Sequence, residues 1–204
     1  DELLEICHEK GILLITDGAH SIGTKYKRRP VGSVADMTTF SFHPVKTVTA
    51  GEGGAVVTSD PALYERLSLF RAHGITRNPA LMEKEPDGPW YYEQVALGYN
   101  YRMTDIQAAL LISQLDKLDR FVARRREIVA CYNEAFRRVP QLIVQEEIPE
   151  SDTARHLYII RLRPERLSIG RKEFFDALDA ENVRCNVHYI PVYYFPWYRK
   201  LGYR

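Results

Sequence analysis

Short apolar runs alternate with polar turns through the first hundred residues, and a longer, helical rhythm follows them. Ile12-Leu13-Leu14-Ile15 is a brief continuous apolar run of the kind buried in parallel sheets, and it closes on Thr16-Asp17-Gly18-Ala19-His20. Met37-Thr38-Thr39-Phe40-Ser41-Phe42 and Ala55-Val56-Val57-Thr58 are rich in β-branched and aromatic residues and predict two more buried strands. Asp60 then stands as an N-cap with Pro61 in the first turn, and Leu63, Leu67 and Phe70 carry the helical spacing. Thr104 and Gln107 make a capping box ahead of Ile106, Leu110, Leu115, Leu118 and Phe121. The pattern runs on toward Phe136 and predicts a long connecting helix over 104–138. Beyond Pro140, residues 156–162 and 183–187 read as strands on either side of a helix over Lys172 to Glu181.

That order divides the chain into α/β material over 1–103, a connecting helix, and a βαβ-like second domain over 139–204. A chain of 204 residues is long enough to bury a substantial core. The formal net charge of +1 argues against a nucleic-acid partner, which needs a basic stripe. The two basic runs have plainer readings. Lys25-Tyr26-Lys27-Arg28-Arg29 predicts an exposed hairpin turn, and Arg124-Arg125-Arg126 the solvated face of a helix. Cys7, Cys131 and Cys185 are odd in number and widely spaced, which suits reduced thiols in a cytoplasm and offers neither a disulfide framework nor a zinc site. No apolar stretch nears the roughly twenty residues that span a bilayer, so no membrane segment is expected.

The chemistry centres on one lysine. Most lysines are solvated surface charges, but Lys46 lies between two predicted buried strands, with Ser41 five residues before it and Gly51-Glu52-Gly53-Gly54 just after. A lysine, a hydroxyl and small residues in a turn are the local equipment for holding an aldehyde cofactor with a phosphate, and pyridoxal 5'-phosphate (PLP) is the group this suggests. Asp17 closes the first strand at its carboxyl end, where open α/β sheets collect ligands. A carboxylate there can keep a pyridine nitrogen protonated, although Asp-Gly is also a common turn dipeptide.

Asp17-Gly18-Ala19-His20, Ser41-Phe42-His43-Pro44-Val45-Lys46, Gly51-Glu52-Gly53-Gly54, Arg71-Ala72-His73-Gly74 and Gly98-Tyr99-Asn100-Tyr101-Arg102-Met103 occur in this order along the chain. In that order they resemble the PLP-dependent nucleotide-sugar aminotransferases, over nearly the whole chain. The resemblance implies a fold-type I PLP-transferase, with a three-layer α/β/α large domain and a smaller α+β C-terminal domain. It makes Lys46 the Schiff-base lysine and Asp17 the partner of the pyridine nitrogen. It makes Ser41 a phosphate ligand and sets His20 near the ring hydroxyl. Asn100 would reach the phosphate of the neighbouring subunit, which implies a homodimer with shared sites. His188 would line the sugar pocket, and His43 is a spacer of no assigned role. One related branch has histidine in place of the lysine and dehydrates instead; Lys46 is intact here, so transamination is expected. Segments 88–94 and 187–193 look most like the branch that acts in pseudaminic acid synthesis, with L-glutamate as donor and a UDP-linked 4-keto-6-deoxy-hexosamine as acceptor.

The chain opens inside a helix-like pattern without an initiator methionine and, by the resemblance, lacks the family's opening segment with its second phosphate-binding turn and ring-stacking aromatic residue, so it reads as an internal fragment. The polar, Pro- and Gly-rich stretch from Ile75 to Tyr92 reads as a functional or mobile loop that closes over the substrate. The rival readings are a phosphate-binding module built on Gly51 to Gly54, weak because no Lys-Ser/Thr pair follows, and an inactive fragment that dimerises through the long helix.

Overall fold

The structure, a computed structural model, describes residues 1–203. In chain order the elements are α1 (Glu2–Glu9), β1 (Ile15–Asp17), β2 (Lys25–Tyr26), β3 (Arg29–Pro30), β4 (Met37–Ser41), β5 (Gly54–Val57), α2 (Pro61–Arg71), β6 (Ile75–Thr76) and β7 (Glu93–Gln94). There follow α3 (Asp105–Leu115), α4 (Leu118–Phe136), β8 (Leu142–Val144), β9 (Ser151–Asp152), β10 (Ile160–Leu162), α5 (Arg171–Ala180) and α6 (Pro196–Lys200), with short 3-10 turns between. Residues 1–136 with 144–159 form one unit, and residues 137–143 with those from 160 onward form a second. Where the sequence suggested a boundary near 139, the structure keeps 144–159 with the first unit, and β9 pairs antiparallel with β2.

In the first unit, β4 lies between β1 and β5, parallel to the former and antiparallel to the latter. Its Met37 and Thr38 are buried, as a central strand with β-branched and large apolar side chains requires. Only the end of the run 12–15 joins β1, because the Leu14 N–H donates to Asp36 Oδ2 at 2.7 Å. Phe42, Val48 and Ala50 form the buried centre of the core, with Ile22, Phe40, Ala55, Met103, Leu111, Leu118 and Phe121 packed around them. All three central residues belong to the loop between β4 and β5. The Lys46 loop is therefore rooted in the core, since full burial of a valine-sized side chain contributes about 1.5–3 kcal/mol.

The helix ends follow their local signals. Asp60 accepts from the Ala62 N–H at 2.7 Å and the Leu63 N–H at 3.3 Å, and Thr104 and Gln107 close the expected capping box. The single helix expected over 104–138 is corrected to two. At Lys117 the ladder tightens to an i→i−3 bond, with its N–H on Gln114 O at 3.1 Å, and α4 starts afresh at Leu118. The basic run 25–29 does form a hairpin, with Lys27 at φ 48° and Arg28 at φ 66° in its turn. That left-handed backbone is held by the Lys27 N–H on Glu150 O at 2.7 Å and by an ion pair from Lys27 to Asp1.

In the second unit, β8 and β10 are neighbours and α5 is anchored where the Gly170 N–H meets the Glu173 carboxylate at 2.7 Å. Residues 156–159 lie outside any strand, and β10 begins only at Ile160. The strand expected over 183–187 is absent. Those residues are exposed coil, because among the described residues no neighbouring strand offers them a ladder. No helix among the described residues is long and apolar enough to cross a membrane.

Candidate active site

Asp17 ends β1 and Ser41 ends β4, and the two strands run parallel with Asp17 opposite Thr39. Ser41 therefore projects about 6.6 Å further along the same sheet edge. Lys46 follows in a tight turn, its N–H on His43 O at 2.9 Å. Three of the residues picked out from sequence thus leave the carboxyl ends of two adjacent parallel strands, where loops diverge and leave room for a ligand.

The turn after β1 requires a glycine. A Cβ on Gly18 would lie 2.8 Å from Thr38 Cγ2 and 2.9 Å from Thr39 O, so only glycine lets the chain leave β1 flat against β4. Asp17 Oδ1 accepts the Ala19 N–H at 2.9 Å, which fixes the carboxylate in that turn. Its Oδ2 keeps no hydrogen bond among the described residues. Lys46 is half-buried, and no hydrogen bond or ion pair engages its ammonium among the described residues. Among the described residues Ser41 Oγ receives only a long contact from the His43 N–H, 3.4 Å. Next to the lysine, Thr47 Oγ1 is buried without a hydrogen-bond partner among the described residues.

The donor set fits PLP. An uncommitted carboxylate oxygen suits a pyridinium N–H, an unpaired amine suits an aldehyde, and a weakly engaged hydroxyl suits a phosphate oxygen. Asp17 is exposed and Ser41 and Lys46 are half-buried, so water serves these groups until a ligand replaces it, and they differ in kind as the ends of that cofactor do.

His43 adds local order. Its Nδ1 accepts the Val45 N–H at 3.3 Å and its Nε2 lies 3.8 Å from Glu52 Oε1, so the lysine turn and the glycine-rich stretch close on one another. Glu52 O in turn accepts Gln107 Nε2–H at 3.0 Å, tying that stretch to the start of α3.

His20 lies three residues past Asp17, and its ring meets the His156 ring at 4.3 Å between centroids. In the sequence His156 only heads an apolar run; in the structure it lies outside any strand and belongs to the first unit. The motifs 71–74 and 98–103 are brought side by side, with the His73 N–H on Tyr99 O at 2.9 Å and the Tyr101 N–H on Arg71 O at 3.0 Å. The backbones touch there, for a Cβ on Gly98 would sit 2.1 Å from Gly74 N. Asn100 is exposed on this pair, bridged through its backbone to Ala72, and no hydrogen bond joins its amide to Asp17, Ser41 or Lys46. His188 belongs to the second unit, exposed and with its ring 3.6 Å from that of Tyr189.

The DegT/DnrJ/EryC1/StrS aminotransferase family is matched over residues 1–204. The chain belongs to this family. Among its members, the UDP-4-amino-4,6-dideoxy-N-acetyl-β-L-altrosamine transaminase of Campylobacter jejuni subsp. jejuni is 38% identical over 201 residues, 98% of this chain and 51% of that protein. Helicobacter pylori PseC, an aminotransferase involved in the biosynthesis of pseudoaminic acid, superposes with a TM-score of 0.85 at 30% identity, over 97% of this chain and 51% of its own. The PLP-form of Spr1654 from Streptococcus pneumoniae gives 0.79 at 32% identity, over 94% and 47%. The chain thus spans about half the length of the relatives it matches, and in all three the match runs through both of its units.

Proposed function

We propose that this chain is the lysine-bearing part of a PLP-dependent aminotransferase that moves an amino group from L-glutamate to the 4-keto group of a UDP-linked 6-deoxy-hexosamine, in the synthesis of pseudaminic acid or a related surface sugar. The observation that carries this reading is the grouping of Asp17, Ser41 and Lys46 at one sheet edge with their reactive atoms uncommitted. Similarity to the C. jejuni transaminase and to PseC supports the choice of sugar.

When bound, PLP supplies an aldehyde that captures amines and a pyridinium ring that draws electrons from the reacting carbon. The residues do the rest. Asp17 holds the proton on the ring nitrogen, because a carboxylate beside that nitrogen favours its charged form. Ser41 donates to the phosphate. Lys46 Nζ would hold the cofactor through its aldehyde, and as a free amine would take the proton from the donor's α-carbon. In the second half the same nitrogen delivers a proton to C4 of the sugar. His20 lies beside the ring hydroxyl and His188 in the sugar pocket, while Asn100 serves the phosphate of a partner subunit in a homodimer. The enzyme works in the cytoplasm, where its three separate thiols stay reduced.

The test uses the full-length protein. Borohydride reduction in the presence of PLP should leave the label on Lys46, and glutamate with a panel of UDP- and TDP-linked keto-sugars should yield a 4-amino sugar by mass spectrometry and NMR. Lys46→Ala should lower turnover about a thousandfold or more while PLP still binds noncovalently. Label on a different lysine, or ordinary turnover by the variant, overturns the reading. Amination at C3, or of a TDP-sugar alone, changes the substrate and keeps the chemistry.

A further inference from the structure

The segment around His156 is held more firmly than its position in an irregular stretch of chain requires. Arg125 Nη1 donates to both Arg155 O and His156 O, at 3.3 and 3.1 Å, and Arg126 Nε donates to Thr153 O at 3.4 Å. The Ala154 N–H reaches Thr24 Oγ1 at 3.0 Å, in the same turn region that carries His20. Ala154 is fully buried, and the buried Arg155 pairs with Glu147 Oε2 at 2.5 Å. Glu147 also accepts from the N–H and the hydroxyl of Thr153. α4 and the β1–β2 turn therefore grip residues 153–156 from both sides, and the side chain this grip presents to the turn is the His156 imidazole, tilted 53° against that of His20 at 4.3 Å.

We infer that His156 is a positioning residue for His20: its ring packs on the His20 ring and fixes that ring's plane beside the carboxyl end of β1. Two tilted rings at this separation restrict one another's rotation about χ2, which is otherwise a broad torsion. The inference rests on the proposed function only where it takes His20 to face the cofactor ring. The packing itself does not depend on that, and the two can be tested apart.

Three single variants of the full-length protein are compared, His156→Ala, His156→Phe and His20→Ala, each with its melting temperature. The first readout needs no cofactor: in the PLP-free protein, the rate of diethyl pyrocarbonate modification at His20 is followed by peptide mass spectrometry. His156→Ala should raise that rate severalfold, and His156→Phe, which keeps a ring, should leave it within twofold of wild type. The second readout is PLP affinity and the absorption band of the bound cofactor. His156→Ala should weaken PLP severalfold and shift the band in the direction that His20→Ala does, with His156→Phe close to wild type. Wild-type His20 reactivity in His156→Ala, or an equal rise in His156→Phe, overturns the positioning role. If His20 reactivity rises as expected but His20→Ala leaves PLP binding and its spectrum unchanged, the positioning stands and the placement of His20 at the cofactor fails instead. A loss of melting temperature in His156→Ala shared by His156→Phe assigns His156 to the core alone and likewise overturns the inference.

Discussion

Tyr91 donates its phenolic hydrogen to Glu93 Oε1 at 2.8 Å, and the same carboxylate accepts the backbone N–H groups of Glu83 at 2.6 Å and Lys84 at 3.1 Å. One side chain therefore staples the loop expected to close over substrate. Its base is also pinned, since β6 and β7 pair Ile75 with Gln94 and Thr76 with Glu93. Replacing Glu93 with Gln removes the charge from three hydrogen bonds and should speed amide exchange at Glu83 and Lys84 severalfold. Unchanged exchange at those two amides would show that the staple holds nothing.

The staple also has a pH range. The Glu83 N–H, helped by the Tyr91 hydroxyl, holds the Glu93 carboxyl below its ordinary 4.5 despite some desolvation. A depressed carboxyl stabilises the stapled loop fully above about 4.5 and loses that stabilisation as pH falls through the lowered value. At the other end, the hydrogen bond to Glu93 raises the Tyr91 hydroxyl above its ordinary 10.0, so its share persists below that pH and fades as pH climbs through the raised value. Exchange at Glu83 and Lys84, corrected for intrinsic rates, should be slowest between these limits in wild type and lose its acid-side dependence in Glu93→Gln.

Asp36 makes a similar joint at the entry to the sheet. It takes the Leu14 N–H at 2.7 Å and His8 Nε2 at 2.9 Å, and the Leu14 bond, then the His8 bond, hold its carboxyl below the ordinary 3.8. Asp36→Ala removes the acceptor of the half-buried Leu14 N–H and should lower stability. Chemical denaturation of the full-length protein at pH 7 measures this directly. The difference from wild type should shrink as pH falls from 3.8 through the lowered value, where the folded carboxyl takes up its proton.

What the sequence disclosed and what it concealed divide along the range of the interactions. The caps at Asp60 and Thr104 were legible because their partners lie within three residues. Asp17, Ser41 and Lys46 could be grouped because Asp17 closes β1 while Ser41 closes β4 and Lys46 follows it, and parallel strands deliver their carboxyl ends to one edge. The run 183–187 looked like a strand because alternation describes a side chain's environment and says nothing of whether a neighbour is present to bond it. The break at Asp116 and Lys117 carries neither Pro nor Gly, so periodicity ran straight through it. Glu93 and His156 were invisible for another reason. A glutamate in a polar loop and a histidine before an apolar run gain their roles from contacts that only the folded chain makes.

Gly18 offers a steric test of the turn that carries the candidate carboxylate. A methyl group there meets Thr38 Cγ2 at 2.8 Å and the backbone oxygen of Thr39 at 2.9 Å, and the latter has no freedom to move aside within a paired strand. Gly18→Ala should cost about 1–3 kcal/mol in denaturant unfolding and displace Asp17 with it. In the full-length protein, PLP affinity should fall along with stability. A stable variant with undiminished PLP binding would mean that β1 and β4 separate more easily than their register suggests.

Gln107 has two duties that substitutions can separate. Its Oε1 accepts the Thr104 N–H at 3.0 Å as half of the capping box, and its Nε2 donates to Glu52 O in the glycine-rich stretch after Lys46. Gln107→Glu keeps an acceptor at the third helical position and adds a favourable charge near the helix start, but it has no hydrogen to give to Glu52 O. Thr104→Ala does the reverse: it removes the hydroxyl that accepts the Gln107 N–H, at a cost of about 1 kcal/mol, and leaves the Nε2 donor in place. Stability should therefore fall more in Thr104→Ala, while amide exchange across residues 51–54 should rise more in Gln107→Glu. If the two variants change both quantities in the same proportion, the cap and the loop tether are one cooperative unit, and the lysine loop is held by α3 as a whole.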